Sequence, residues 1–227
     1  MAKVLRTFQE AGGTIALRQN GEHLDLVLGN VVLLSSAALE TELAFGRLAR
    51  DAVEAAVLAG ETPRVLVGGL GFGATLRGVL EVLPPEGEVV VVEKLATVIE
   101  LARSDAAHLV GGALDDPRVR LVASDVGDAI EGERGLAAIL LDVDNGPEWA
   151  SFRTNARLYA DAALGHARAA LRPGGTYAVW SGYARDAFVA RLRAAGFVAR
   201  IEPLEERGVV RARAYVGVSG RGASPGP

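Results

Sequence analysis

The stretch VLVGGLGFGATLRG, which runs from Val65 to Gly78, decides the fold of this chain. It begins with a valine-rich run, turns through glycines at positions 68, 69, 71 and 73, and continues with the composition of a first helical turn. Glycines permit a tight turn and let the backbone approach a ligand, while the N-terminus of a following helix offers free N–H groups. The stretch is typical of a nucleotide-binding loop, although a plain turn between a strand and a helix would use the same glycines.

Downstream of Pro63 the sequence alternates between strands and helices. The predicted strands cover 65–67, 88–92, 119–123, 137–141, 176–180, 198–203 and 209–218. The predicted helices cover 74–83, 95–103, 155–171 and 184–195. This order predicts an α/β fold, with a Rossmann-like, mostly parallel sheet that carries helices on both faces and ends in a hairpin-like strand.

The N-terminal part has a different pattern. Residues 14–34 contain short apolar runs separated by Asn20-Gly21 and Gly29-Asn30, which are turn signals that suit a β-hairpin. A helix is predicted over 36–59, where Gly60 ends it. We therefore expect a small N-terminal β-hairpin over 1–35, a catalytic domain over 36–219 and a flexible tail over 220–227.

Composition limits the function classes. The chain of 227 residues is half hydrophobic, has a net charge of −4 and contains no cysteine, and its basic residues are dispersed. This composition argues against nucleic acid as a partner and against disulfides or thiolate chemistry. The N-terminal residues lack the apolar region of a signal peptide, no apolar run is long enough to span a membrane, and the three histidines are isolated. We predict a soluble cytoplasmic protein with no metal site that acts on a small molecule.

Two acidic residues follow predicted strands at the edge where the glycine loop lies. Glu93 comes 22 residues after Gly71, where a carboxylate can accept hydrogen bonds from both ribose hydroxyls of an adenosine. Asp125 closes the strand RLVASD and would lie near the adenine, or it caps the short helix that follows. Together with the glycine loop, these residues predict a cofactor that contains adenosine.

The segment LLDVDNGPEW supplies the candidate catalytic residues. Asp142 and Asp144 fall where the strand leaves the sheet, so that a carboxylate there could orient or deprotonate an attacking amine. The alternative is a turn, which Asp144-Asn145-Gly146 would serve through Asx-type bonds. Trp149 either overhangs the pocket or packs the loop onto the sheet.

Five blocks of sequence in order resemble the spermidine synthase-like branch of the class I S-adenosylmethionine (SAM)-dependent transferases. They are GGLGFGATLR, VVVVEKLATVIELAR, DDPRVRLVASD, AILLDVDNGPEW and LRPGGTYAVW. The resemblance implies a seven-stranded sheet, a homodimer, and Asp142 as the first Asp of the family's Asp-Ser/Thr-x-Asp-Pro motif. It also implies that the cofactor is bound by Gly69, Leu70, Gly71, Phe72, Gly73, Glu93, Lys94, Asp125, Val126 and Asp142.

The chain departs from the polyamine enzymes of this family at several positions. Where those enzymes carry Gly-Gly-Gly-Asp-Gly-Gly, this chain has GLGFGA over 69–74, and Phe72 replaces the Asp that grips the amine of decarboxylated SAM. The second Asp of the motif falls at Asn145 or is displaced to Asp144. The family's hairpin Gln appears as Leu33, and its Tyr-His pair as Ala44-Phe45.

These departures decide the functional hypothesis. Backbone N–H groups of a glycine loop can hold the carboxylate of intact SAM without any acidic side chain. We therefore predict methyl transfer from SAM to an amine or another heteroatom of a small molecule. The alternative is transfer of an aminopropyl group from decarboxylated SAM, or of an aminocarboxypropyl group, to an amine. The third hypothesis is a homologue that binds SAM but lacks activity.

Overall fold

The computed structural model describes residues 2–10, 12–143, 153–183 and 186–220. These residues form two separate sheets with helices around the larger one. Within these ranges, no helix combines the length and apolar content that a membrane span requires.

The N-terminal residues form a four-stranded antiparallel sheet in the order β1-β2-β3-β4. Its strands are β1 (Lys3–Glu10), β2 (Gly13–Asn20), β3 (His23–Leu28) and β4 (Val31–Ser35). The hairpin predicted over 14–34 corresponds to β2, β3 and β4, and its turns place Gly21 and Gly29 at positive φ. β1, which the sequence pattern did not indicate, pairs with β2 and extends the hairpin into a sheet.

The predicted helix over 36–59 is interrupted. It consists of a 3-10 turn (Ser36–Ala38), α1 (Leu39–Gly46), a second 3-10 turn (Arg47–Ala49) and α2 (Arg50–Leu58). Gly46 ends α1 at a very close crossing with a later helix. A Cβ at Gly46 would lie 2.2 Å from the carbonyl oxygen of Thr75, and one at Gly78 would lie 2.2 Å from that of Leu43. The two helices therefore meet backbone to backbone, with no side chain between them.

The larger sheet has seven strands in the order β10-β11-β9-β8-β5-β6-β7, which confirms the predicted fold. The strands are β5 (Arg64–Gly68), β6 (Glu88–Glu93), β7 (Val119–Ala123), β8 (Leu136–Leu141), β9 (Leu171–Ser181), β10 (Phe197–Glu206) and β11 (Val209–Ser219). β11 runs in the direction opposite to the other six strands of this sheet. The chain order reverses between β5 and β8, and ligands of open α/β sheets bind at such a switch point.

The helices that follow β5 are α3 (Ala74–Leu80), α4 (Ala96–Arg103), α5 (Ala107–Val110), α6 (Val126–Gly132), α7 (Asp161–Ala170) and α8 (Asp186–Ala194). The helix predicted over 155–171 differs from the structure. A 3-10 helix covers Arg153–Tyr159, and α7 begins only at Asp161. Ala160 between them has an extended backbone, which breaks the helix.

The core lies on both faces of the larger sheet. Val65 and Val67 of β5 belong to one apolar cluster, whereas Leu66 between them belongs to another on the opposite face. This alternation follows from the two-residue period of a strand. Because both faces are covered, the strands are nearly continuous apolar runs, and every residue of β8 is buried.

Glu10 of β1 joins the small sheet to the larger domain. Its two carboxylate oxygens accept hydrogen bonds from the backbone N–H groups of Ala96 and Thr97, each over 2.8 Å. These N–H groups belong to the first turn of α4, whose own N-cap residue, Leu95, makes no side-chain capping bond. Arg6 of the same strand pairs with Glu100 and Asp105. A strand of the small sheet therefore caps this helix.

Candidate functional site

A cavity of about 300 Å³ opens at the carboxyl ends of β5, β6, β7 and β8. This is the edge of the sheet where the sequence predicted the cofactor. Most of the predicted site residues line it, namely Gly69, Gly71, Glu93, Lys94, Asp125, Val126 and Asp142. Parallel strands end at the same edge of the sheet, and this brings together residues that are far apart in the sequence. Gly69 and Asp142, for example, are 73 positions apart. Their role in binding a cofactor stays a prediction.

The glycine loop approaches the backbone of β8 so closely that only glycine fits. The N–H of Gly69 donates to the carbonyl oxygen of Val92 over 2.8 Å, and its φ is +93°. A Cβ at Gly69 would lie 2.1 Å from the carbonyl oxygen of Asp142. Both the positive φ and the contact exclude a side chain here. The glycine therefore sets the distance between the loop and the candidate catalytic residue.

The other residues of the glycine loop differ in their contacts and in their burial. The backbone N–H of Leu70 donates to Glu93 Oε2 over 3.0 Å. The side chains of Leu70 and Phe72 are each 3% exposed, and neither is among the residues that line the cavity. Gly73, at a φ of +80°, precedes the first residue of α3. Phe72 therefore occupies the interior of the loop and offers no polar group to a ligand.

Glu93 is bound by the backbone on both of its oxygens. Oε2 accepts from Leu70 and Oε1 accepts from the N–H of Leu95 over 2.8 Å. Burial raises the pKa of Glu93, and the bonds from the Leu70 and Leu95 amides offset part of that effect. Because each carboxylate oxygen has two lone pairs, this side chain can still accept hydrogen bonds from a ligand. The predicted contact with ribose hydroxyls is compatible with that geometry.

Asp125 caps the helix that follows it and also lines the cavity, while its predicted place near an adenine stays a prediction. Its Oδ1 accepts from the N–H of Gly127 over 2.9 Å, which caps α6, and its side chain also lines the cavity. Oδ2 lies 2.6 Å from the guanidinium of Arg157 and 3.2 Å from Lys94 Nζ. Burial alone would raise the pKa of Asp125, but the bonds from Arg157, Gly127 and Lys94 outweigh it and lower the pKa.

Asp142 lies directly after β8 and faces the N-terminal end of α3. Its backbone N–H donates to the carbonyl oxygen of Gly68 over 2.8 Å, which anchors it to the glycine loop. Thr75 Oγ1 donates to Asp142 Oδ2 over 2.6 Å and also lies 3.3 Å from the backbone carbonyl oxygen of Glu42. Thr75 is 2% exposed, so this hydrogen bond is shielded from solvent. Asp142 is thereby held in one orientation at the cavity wall.

Glu42 of α1 is the residue that sequence reasoning missed. Burial raises its pKa well above the ordinary value for a glutamate, and the nearby charge of Asp142 raises it further. Two neighbouring carboxylates ionise together only at a cost, so the protonated form of Glu42 is favoured unless a cation lies nearby. The available sequence signal was the glutamate at position 42, one of two glutamates in the LETELAFGR segment.

The small sheet also reaches the cavity. Leu33 and Leu34 of β4 line it, and Leu34 Cδ2 lies 3.7 Å from the position that a Cβ on Gly71 would take. Leu33, where the resemblance implied a glutamine in the polyamine enzymes, is apolar. Phe45, at the other aligned pair, is fully buried in the core. Neither position therefore offers a polar side chain to a ligand.

Three further predictions lie partly or wholly outside the described residues. Asp144, the Asn145-Gly146 turn and Trp149 all fall in the segment 144–152, which is not described. Most of the predicted tail lies outside them as well. The candidate role of Asp144 therefore stays a prediction.

His166, for which a surface or packing role was expected, is half exposed and lies 3.0 Å from Glu131.

Comparison with known proteins identifies relatives of this chain in sequence and in fold. No protein-family model matches the chain. It is 38% identical over 133 residues to polyamine aminopropyltransferase 2 of Pseudomonas aeruginosa, a match that covers 56% of this chain and 36% of that protein. It is 33% identical over 125 residues to the polyamine aminopropyltransferase of Korarchaeum cryptofilum, covering 54% and 37%. The chain thus matches little more than a third of the length of these curated relatives.

Solved structures show the same fold at low identity. Spermidine synthase from Thermotoga maritima superposes with a TM-score of 0.73 at 16% identity, over 96% of this chain and 74% of that one. A methyltransferase from Geobacter sulfurreducens superposes less well, with a TM-score of 0.54 at 19% identity over 79% of each chain. In sequence and in fold, the chain therefore resembles the spermidine synthase-like branch of the class I SAM-dependent transferases.

Proposed function

We propose that this chain is a transferase that binds decarboxylated SAM and transfers its aminopropyl group to an amine. This reverses the order of the hypotheses from the sequence, in which methyl transfer came first. The sequence similarity to polyamine aminopropyltransferases supports the change. The observation that carries it is the carboxylate of Asp142 at the wall of the cavity, close enough to Glu42 of α1 for its charge to raise the pKa of Glu42.

The cavity fits an adenosyl ligand. Its volume of about 300 Å³ lies at the lower end of the range of small-molecule sites. Gly69 and Gly71 line it without side chains, so that a ligand can approach the loop backbone. Glu93 is the candidate partner of the ribose hydroxyls, and Asp125 lies where the adenine is expected. The apolar residues Val92, Val98 and Leu158 would cover the faces of the base.

The carboxylates of Glu42 and Asp142 supply negative charge that an amine ligand could neutralise. Phe72 removes the acidic group that the related polyamine enzymes carry in the glycine loop, but Glu42 brings a carboxylate to Asp142 from a different element. An ammonium group beside the pair would allow both acids to ionise, because it offsets their mutual repulsion. We infer that Glu42 takes over part of the charge that the loop has lost.

The chemistry is a displacement at carbon. The lone pair of the acceptor nitrogen attacks the methylene carbon next to the sulfonium, the carbon–sulfur bond breaks, and methylthioadenosine leaves as the nitrogen loses a proton. Asp142 orients the attacking amine and accepts that proton. Thr75 holds Asp142 in position through the 2.6 Å hydrogen bond. Much of the rate would come from alignment of the two reactants.

Ligand binding and product analysis test the proposal. Decarboxylated SAM should raise the melting temperature more than SAM does, and turnover with a set of diamines should release methylthioadenosine, as identified by mass. Asp142→Asn should bind decarboxylated SAM but lose turnover. Asp161→Asn, at a strongly exposed position on α7, is the matched control and should keep it. Release of S-adenosylhomocysteine instead would overturn aminopropyl transfer.

Methyl transfer is the second candidate, and one observation favours it. Phe72 is buried in the glycine loop, which therefore presents no acidic side chain. A loop that holds the carboxylate of intact SAM through its backbone N–H groups should lack such a side chain. Aminocarboxypropyl transfer would also start from SAM but would leave methylthioadenosine. Binding of SAM or its decarboxylated form without any product would favour the inactive homologue. The homodimer, the cytoplasmic location and the domain division at residues 35 and 219 stay predictions.

A further inference from the structure

The two leucines of β4 that line the cavity, Leu33 and Leu34, are adjacent in the sequence. Successive side chains of a regular strand point to opposite faces, so adjacent residues should not both reach one cavity. The pairing between β3 and β4 explains the exception. It passes from Leu26–Leu34 to Val27–Val32, which leaves Leu33 as an extra residue without a partner on β3. This β-bulge turns both leucines, the bulge leucines, toward the cavity.

The bulge leucines lie beside the glycine loop. Leu34 Cδ2 is 3.7 Å from the position that a Cβ on Gly71 would take. Gly71 is two residues from Gly69, which approaches the backbone of Asp142 so closely that no side chain fits between them. Val143, which follows Asp142, lines the cavity as well. The described wall between Asp142 and the bulge leucines therefore consists of glycine backbone and apolar side chains.

The charges at the cavity favour an acceptor without a second cation. Among the described residues, the charged ones that line it are Glu93, Lys94, Asp125 and Asp142. Glu93 is bound by two backbone N–H groups and is the candidate partner of the ribose. Asp125 pairs with Lys94 and Arg157. A second ammonium group on the acceptor would meet apolar walls and the positive charge of Lys94, and a buried charge without a partner is costly.

Asp142 is already engaged in the transfer reaction proposed above. It orients the attacking nitrogen, and together with Glu42 it offsets the charge of the donor's own ammonium group. The described lining therefore supplies no further carboxylate for the distal end of the acceptor. That end faces the bulge leucines, where an alkyl chain is stabilised because it leaves water.

We propose, on the basis of that transfer reaction, that the acceptor is a primary amine with an apolar chain and no second charge, and that the bulge leucines select it. The transfer step itself is unchanged. The nitrogen–carbon bond forms, the carbon–sulfur bond breaks, methylthioadenosine leaves, and Asp142 accepts the proton from nitrogen. The product is an alkylamine that carries one aminopropyl group on its nitrogen.

Two amines of equal length test this selectivity. Calorimetric titration of the whole chain, saturated with methylthioadenosine, should show hexylamine binding at least about tenfold more tightly than 1,6-diaminohexane. From propylamine to hexylamine, each added methylene should increase the affinity about three- to fourfold. With decarboxylated SAM as donor, kcat/KM should follow the same order, so that diamines react less efficiently than hexylamine.

Variants of the bulge locate the effect. Leu33→Glu places a carboxylate in the wall and should reverse the preference in favour of 1,6-diaminohexane. Val32→Glu is the matched control, because Val32 is paired with β3, is 41% exposed and is not among the residues that line the cavity. It should keep the preference of the parent. Leu33→Ala, which introduces no charge, should weaken hexylamine by about tenfold and leave the diamine unchanged.

The calorimetric measurement does not require turnover, so it separates this inference from the proposed reaction. Equal or tighter binding of 1,6-diaminohexane, no binding of hexylamine, or a parental preference in both Leu33 variants would each overturn the apolar acceptor. Release of methylthioadenosine with the diamine would then still support aminopropyl transfer. Preferential binding of hexylamine without release of methylthioadenosine would support the apolar amine site and overturn the transfer.

Discussion

The hydroxyl of Thr75 donates to Asp142 Oδ2 over 2.6 Å and connects the first turn of α3 to the end of β8. The two residues come from opposite sides of the switch point between β5 and β8. A carboxylate that is held by a buried hydroxyl presents its remaining lone pairs in fixed directions. The orientation of Asp142 is therefore set by the protein before any ligand binds.

Thr75→Val should reduce turnover without loss of fold. Valine keeps the shape of the buried side chain but removes the donor, and a hydrogen bond to a charged group contributes about 1.5–3 kcal/mol. We expect kcat to fall by about 10- to 100-fold. Thr75→Ser retains the hydroxyl and should keep most of the activity. Equal kcat values for the valine and serine variants, measured by methylthioadenosine release, would contradict the role assigned to Thr75.

Glu42→Gln should change the pH dependence of stability. Because the pKa of Glu42 in the folded chain is raised above its ordinary value of 4.5, the protonated acid stabilises the fold. This contribution is complete below that value and is lost as the pH rises through the folded pKa. The parent should therefore lose stability relative to Glu42→Gln as the pH increases above 4.5.

Urea unfolding over the range from about pH 4 to 8 measures that difference. Glu40→Gln is the control, since Glu40 lies in the same turn of α1 with an exposed side chain. The pKa of Glu93 is also raised in the folded chain. Because Glu93 is present in every variant, its effect cancels from the difference in stability between parent and variant. A difference between parent and Glu42→Gln that does not vary with pH would refute the raised pKa of Glu42.

Gly69→Ala should disrupt the cavity, because its Cβ would lie 2.1 Å from the carbonyl oxygen of Asp142. Gly112→Ala provides a comparison at a similar positive φ, with nothing within 4 Å of the added Cβ. The control should cost only the left-handed strain of about 1–2 kcal/mol. Gly69→Ala should lose more stability and abolish binding of methylthioadenosine. Similar unfolding midpoints and affinities for the two variants would show that the close approach is unimportant.

Glu10→Ala should weaken the attachment of the small sheet to the larger domain. The variant removes both acceptors from the first turn of α4, and loss of a helix N-cap costs about 0.5–2 kcal/mol. Burial alone would raise the pKa of Glu10, but the bonds from Thr97 and Ala96 outweigh it and lower the pKa. The stabilisation is therefore present above the ordinary value of 4.5 and is lost as the pH falls below it.

Urea unfolding of Glu10→Ala near neutral pH and at acidic pH checks this expectation. Glu22→Ala is the control, because Glu22 is exposed in the turn between β2 and β3. Hydrogen exchange at Ala96 and Thr97 should become faster in Glu10→Ala only. Unchanged exchange at these amides would mean that α4 keeps its first turn without the cap.

Much of the fold follows from local patterns. The valine run of β6 and the glycine loop after β5 indicate a buried parallel sheet, and the carboxyl-edge rule then brings Glu93, Asp125 and Asp142 to one cavity. β1 was not predicted, because almost all of its side chains are exposed and its sequence has no apolar face. The break at Ala160 was also missed, since the alanine-rich sequence around it favours a helix throughout.

The function was harder to predict for a physical reason. The apolar residue Phe72 is visible in the sequence of one loop, whereas the compensation that we propose from α1 depends on the electrostatic proximity of residues 100 positions apart, Glu42 and Asp142. A local substitution therefore suggested methyl transfer. The non-local pair of carboxylates is the feature that makes an amine ligand plausible again.

The crossing of α1 and α3 at Gly46 and Gly78 has a consequence for genetics. Any side chain at Gly46 would push α1 away from Thr75, and with it the helix that carries Glu42. A screen for lost activity should therefore recover substitutions at these two glycines, although neither offers a functional group. Partial rescue by a second substitution that shortens a neighbouring side chain would be impossible there, because the atoms in contact belong to the backbone.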